Sequence, residues 1–179
     1  MSARLTPLIP DDLSVDAQKL YIAVTESPRA QGPGRSILVR QDGTLCGPFD
    51  AWLRTPGLGL QFEKIGMLLR TETVLAPAVR EIIILTVAVA WHIDFEFQVH
   101  AMVALNTGVD SEVVEAIATG KAPSFQHDDL AIAYTLTNEL IDNREVIGQR
   151  ISNCQIVMLK AWGFAGSDCF NHFRIDTCV

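Results

Sequence analysis

What this 179-residue chain has little of narrows its function first. Its 14 Lys and Arg are outnumbered by 21 Asp and Glu, for a formal charge of −7. No basic cluster occurs anywhere, which argues against a nucleic-acid partner. No apolar run is long: the most extended, Ile82 to Trp91, is broken only by Thr86. It falls far short of the roughly 20 residues that a membrane span needs. The opening "MSARLTPLIPDDLS" has neither an apolar core nor a small-residue cleavage site, so the expectation is a cytoplasmic protein without a membrane partner. Four cysteines are present, Cys46, Cys154, Cys169 and Cys178, but none forms a CxxC and their spacing fits no zinc pattern. They read as reduced thiols, and no metal or other cofactor is expected.

Hydrophobic residues make up 49% of the chain and charged residues 20%, which describes a globular domain with a real core. The mean hydropathy is above zero, a hint that apolar surface is buried between subunits. Periodicity organises residues 1–150 into one domain, followed by an atypical tail, 151–179, without regular patterning. Apolar groups at helical spacing follow Ser14 in "SVDAQKLYIAVT". From Ser27 to Pro48 three prolines and four glycines predict mostly loop, with a short hairpin around Asp42-Gly43. "FDAWLRTP" reads as one or two helical turns. The spacing predicts an amphipathic helix over 58–70 with Leu60, Ile65, Leu68 and Leu69 inward. Pro77 opens the next helix, Gly108 and Gly120 stop two more, and Asp128 and Asp129 precede the last. The fold class is therefore all-α, six to eight helices.

The chemistry gathers around "WHIDFEFQVH", residues 91–100, directly after the apolar "EIIILTVAVA". On a helical wheel of about 100° per residue, Glu81, His92, Glu96 and His100 share one arc. A straight helix would hold Glu81 and His100 nearly 30 Å apart at about 1.5 Å per residue. The expectation is a bend between Trp91 and Phe95, with a new helix at Asp94 and Glu81 folded back toward His100. A metal held by His92, Glu96 and His100 is unlikely, since three ligands spread over about 12 Å of helix do not meet one ion. A Glu–His pair can also lock two helices together without catalysing anything.

Several segments in this order make the chain resemble the carboxymuconolactone decarboxylase family, related to the alkylhydroperoxidase D proteins. They are "RQDGTLCGPFDAWLRTPGLG", "REIIILTVAVAW", "FEFQVHAMVALNTGV" with "SEVVEAIATG", and "AIAYTLTNELI". The resemblance covers Leu5 to Arg150 and implies an all-helical, AhpD-like subunit assembled as a trimer or hexamer. The peroxidase-like branch carries a glutamate, a CxxC and a histidine. Here the glutamate falls on Glu81, the histidine on His100, and the cysteine positions on Ile93 and Glu96. With no thiol at either position, disulfide-based peroxide reduction is excluded there. What remains is the branch without the CxxC. Two departures stand out: Asp50 where asparagine is expected, and the tail after Arg150.

Decarboxylation of a keto or lactone acid leaves electrons on a carbon beside a carbonyl, and that carbon must receive a proton. A histidine beside a glutamate suits the task. His100 is the expected general acid, Glu96 its orienting partner or a base, and Glu81 an anchor behind them. Trp91 and Phe95 would wall out water. His92 and Arg80 are candidates for holding an anionic substrate, Arg80 more plausibly as an ion-pair partner of the fold. The expected activity is thus a cofactor-independent decarboxylase of a small acid or lactone, working through an enolate. An isomerase, dehydratase or cyclase of secondary metabolism fits the same residues, and so does a non-catalytic oligomeric binding protein.

Overall fold

A computed structural model describes residues 5–32 and 34–143. The tail, with Cys154, Cys169 and Cys178, lies outside the described residues, as does the domain boundary expected at 150. The described residues are all-α: nine helices and no strand. They are α1 (Val15–Thr25), α2 (Pro28–Gln31), α3 (Arg35–Leu38), α4 (Gly47–Trp52), α5 (Pro56–Thr71), α6 (Pro77–Ala90), α7 (Asp94–Asn106), α8 (Ser111–Ala118) and α9 (Asp128–Asn143). The count exceeds the expected six to eight because two single turns, α2 and α3, form where loop was expected. Pro28 opens α2 at a position where its missing N–H costs nothing. The expected hairpin is reduced to one antiparallel bridge, Val39 to Leu45, with Asp42 accepting from the Thr44 amide and hydroxyl. No helix of the described residues is long and apolar enough to cross a membrane.

Two apolar clusters form the core. One gathers Ile82 and Leu85 of α6 with Ala104, Val113, Ile117, Leu130 and Ala133. The other gathers Ala17, Leu20 and Val24 of α1 with Leu38, Leu45, Phe49 and Leu53. α7 belongs to both. It sends Val99 and Phe95 into the second cluster and Ala104, Phe97 and Ala101 into the first. A helix packed on two sides has no single apolar stripe, which is why its sequence pattern is weak. His100, one residue after Val99, consequently sits at the seam between the clusters.

The expected bend is present: α6 ends at Ala90 and α7 starts at Asp94. The turn is a Schellman closure, with the His92 amide donating to Val89 O and the Ile93 amide to Ala88 O. The residue after the cap must adopt positive φ, and His92 does so at 54°. α7 and α8 end by the same pair of bonds, with Gly108 and Gly120 in that slot. His92 therefore occupies a position where glycine is usual, and its backbone has a structural task.

α5 departs most from expectation. Ile65, Leu68 and Leu69, expected inward, are exposed, as are Leu58 and Phe62. The inward stripe is Gly59, Glu63, Gly66, Met67 and Arg70, of which Gly59 and Glu63 are buried. Gly59 lets α5 approach α1 and α4, because a Cβ there would stand 2.5 Å from Leu20 Cδ2 and 2.8 Å from Trp52 Cβ. Gly59→Ala is expected to lower stability by about 1–3 kcal/mol, the usual cost of overpacking. A urea melt that shows no shift of midpoint would refute this close contact.

Candidate active site

Glu81 is fully buried on α6, and the α6–α7 turn brings His100 of α7 against it. Their Oε2 and Nδ1 are 2.6 Å apart, a short, charge-assisted geometry. A carboxylate accepts, so Nδ1 carries the proton and donates. That fixes the ring's tautomer and leaves Nε2 for other work. Glu81 is itself held by Arg80, whose Nε lies 3.4 Å from Oε1 while its Nη1 donates to Arg70 O at 3.1 Å.

Two groups compete for Nε2. Arg70 Nη2 donates toward it at 3.4 Å, which requires a bare nitrogen lone pair. Glu96 Oε1 stands 3.7 Å away, beyond a hydrogen bond but placed to attract a protonated ring. Nε2 thus sits between a guanidinium and a carboxylate at the cavity wall, where a side chain can pass a proton to or from a bound molecule. Glu81, not Glu96, orients the ring: it is closer, hydrogen-bonded and wholly buried, whereas the Glu96 side chain is 42% exposed.

His100 and Glu96 line a cavity of about 280 Å³. Its other charged wall groups are Arg29 and Arg70, and Phe49, Phe95, Met67 and Val99 supply apolar wall. A small organic acid fits that volume; a drug-sized ligand fits poorly. Gly47, with φ +56°, keeps Phe95 in this wall, because a Cβ would stand 2.6 Å from the ring.

Of the residues expected at the site, Glu81, Glu96, His100 and Phe95 come together, with Arg80 behind Glu81 in the structural ion pair. Trp91 and His92 do not join them. Trp91 is 70% exposed and lies outside this cavity, while His92 lines a separate depression with Ile93 and Asp94. The turn that folds Glu81 back onto His100 is what carries both outward. The aromatic wall comes instead from Phe95 and Phe49.

Three functional candidates escape sequence reasoning: Arg29, Glu63 and Arg70. Arg29 Nη2 and Glu63 Oε2 are 3.4 Å apart, with side chains 11% and 5% exposed. Arg29 Nε and Nη2 and both Glu63 oxygens find no hydrogen-bond partner among the described residues. Burial lowers the Arg29 pKa and raises that of Glu63, in each case outweighing the pull of the opposite charge. Arg29 also rests over the Phe49 ring, 5.3 Å from its centroid, and Gly66 leaves room for its Nη2. The signal in the sequence was the stripe of Gly59, Glu63, Gly66 and Arg70 at helical spacing, masked by the leucines on the opposite face.

No family model matches this chain, and no curated protein or solved structure matches it either.

Proposed function

We propose that this chain is a cofactor-independent acid–base enzyme acting on a small carbonyl acid or lactone through an enolate, with decarboxylation as the first reading. The observation that carries it is His100 Nε2, presented to a small cavity by a buried glutamate 2.6 Å behind the ring. In a decarboxylation the bond to the carboxylate carbon breaks, carbon dioxide leaves, and the electron pair stays as an enolate. The protonated His100 ring then delivers its Nε2 proton to carbon, with Glu81 stabilising the imidazolium and Glu96 close to Nε2. Arg70, beside the same nitrogen, is positioned to stabilise negative charge on the enolate oxygen. The resemblance to the carboxymuconolactone decarboxylase family supports the same assignment of Glu81 and His100.

One observation favours a second reading. The Arg70 contact selects a neutral ring, which acts first as a base, and base-first chemistry on the same scaffold is isomerisation, dehydration or ring closure. Incubation with a panel of keto acids and lactone acids, followed by carbon dioxide release and proton NMR, separates the readings. Release of carbon dioxide supports decarboxylation. Rearranged or dehydrated products without it support the second, and an unchanged panel defeats both.

The subunit is also proposed to be a homo-oligomer, a trimer or hexamer. What supports this is the outward face of α5, where Leu58, Phe62, Ile65 and Leu69 are exposed at helical spacing. Sedimentation of the full chain at micromolar concentration should give a multiple of three. If it does, Leu69→Lys should shift the distribution toward smaller species. A monomer in the wild-type chain would refute the proposal.

A further inference from the structure

We infer that Arg70 is the anion-binding residue of this cavity, and that a carboxylate held there is taken up together with a proton at His100 Nε2. The inference rests on the acid–base reading of His100 and names how the substrate itself loads the ring. Arg29, on the same wall, is already engaged: its Nη2 lies 3.4 Å from Glu63, and its Nε and Nη2 are closed to solvent. Arg70 differs. It lines the cavity, forms no ion pair among the described residues, and none of its nitrogens is sealed off without a partner. Its Nη2 meets His100 Nε2 at 3.4 Å, long for a hydrogen bond and readily exchanged for a charged acceptor. Its backbone is fixed independently, because Arg70 O accepts from Arg80 Nη1 at 3.1 Å. A guanidinium in that state is matched by a carboxylate, whose oxygens suit the planar fork.

Hydrogen-bond complementarity then decides what happens at the ring. Glu81 takes the Nδ1 proton at 2.6 Å, so the free ring meets Arg70 with a bare Nε2. A carboxylate can only accept. Placed at Arg70 Nη2, it has Nε2 as its neighbour, and two lone pairs face each other unless Nε2 carries a proton. The charges agree. Around the ring stand Arg80 and Glu81 from α6, Arg70 from α5 and Glu96 on α7, with Arg29 on the same cavity wall paired to Glu63. Three guanidiniums balance three carboxylates, so a bound anion leaves one negative charge in excess, which a proton on Nε2 cancels. The state of the ring thus follows the ligand. An acid whose carboxylate reaches Arg70 meets a loaded imidazolium, the state that decarboxylation needs. An uncharged carbonyl compound meets the bare nitrogen and base-first chemistry.

The test is an NMR titration of the full chain, labelled with nitrogen-15 histidine, with pyruvate, succinate and glutarate and with their uncharged amides. Ionic strength is held constant, the pH is one at which the free ring has a bare Nε2, and His100→Ala assigns the signals. At least one acid should bind and move the Nε2 resonance to that of a protonated nitrogen, and the amides should not. Since one proton is taken up, affinity for the acid should fall toward higher pH by up to about tenfold per unit. His100→Ala should still bind the acid, with that pH dependence lost. Arg70→Gln should weaken the acid by at least about tenfold. The wild-type titration needs no variant to fold. The inference is overturned by an acid that binds without protonating Nε2, by amides that act equally, by undiminished affinity in Arg70→Gln, or by a wild type that binds none of the acids. Failure of the acid–base reading looks different: turnover would survive in His100→Ala while the acid still protonated Nε2 in wild type.

Discussion

His100→Ala is expected to leave the fold intact and to lower turnover by about 10²–10⁴, the usual worth of a general acid or base. The ring is buried and bonded to Glu81, which keeps Arg80 as a countercharge when the ring is removed. Glu81→Gln should cost more activity than Glu96→Gln, because Glu81 is the group hydrogen-bonded to Nδ1. A glutamine at 81 can turn its oxygen to the ring and hold it, but it lacks the charge that stabilises an imidazolium. It also strips Arg80 of its carboxylate. At 96, a partly exposed side chain 3.7 Å from Nε2, water replaces much of what is lost. Steady-state rates of the three variants, with circular dichroism to verify folding, decide the order. Glu96→Gln as the most damaged glutamate variant would reverse the two glutamate roles.

The second large effect concerns stability. Arg29 and Glu63 form a buried pair with poor hydrogen bonding, and breaking such a pair strands a charge. Arg29→Met or Glu63→Met alone should therefore lose about 3–5 kcal/mol, whereas the double replacement should be neutral or stabilising. The pH dependence follows from burial. Glu63 has its folded pKa raised above the ordinary carboxylate value, so its contribution is present below that ordinary value. It is lost as pH rises through the folded pKa. The difference in stability between wild type and the double variant should therefore shift against wild type from the ordinary carboxylate range upward. Burial lowers the Arg29 pKa from its ordinary value, which lies far above this window. Denaturant midpoints across pH for the four chains measure both effects. Additive losses in the single and double variants would show that the two side chains are not coupled.

Much of this architecture was legible, and the misses have physical causes. Pro77 at a helix start and Gly108 and Gly120 after helix ends mark boundaries by backbone chemistry that does not depend on the rest of the fold. The bend after Trp91 was legible because Glu81 and His100 cannot meet on a straight helix. The role of His92 was not, since a histidine at positive φ leaves no mark that a glycine would. The inward face of α5 was misread because hydrophobicity names the face that avoids water, not the surface that covers it. Leu58, Phe62, Ile65 and Leu69 point away from this subunit's core, while Glu63 turns inward against Arg29 and Arg70 faces the cavity. Arg29 stood in a stretch read as loop, and only the α2 turn and the α5 stripe bring it to the site.

The central claim is that His100 Nε2 moves a proton to or from a carbon beside a carbonyl. The most direct measurement is deuterium incorporation, by proton NMR in D₂O, into small keto and lactone acids mixed with the full chain. It needs no knowledge of the final product, since any route through an enolate exchanges that hydrogen or places deuterium where carbon dioxide left. Incorporation at the carbon beside the carbonyl is expected with wild type, falling by about 10²–10⁴ in His100→Ala. Incorporation at equal rates in both chains, or none with any acid in the panel, would contradict it.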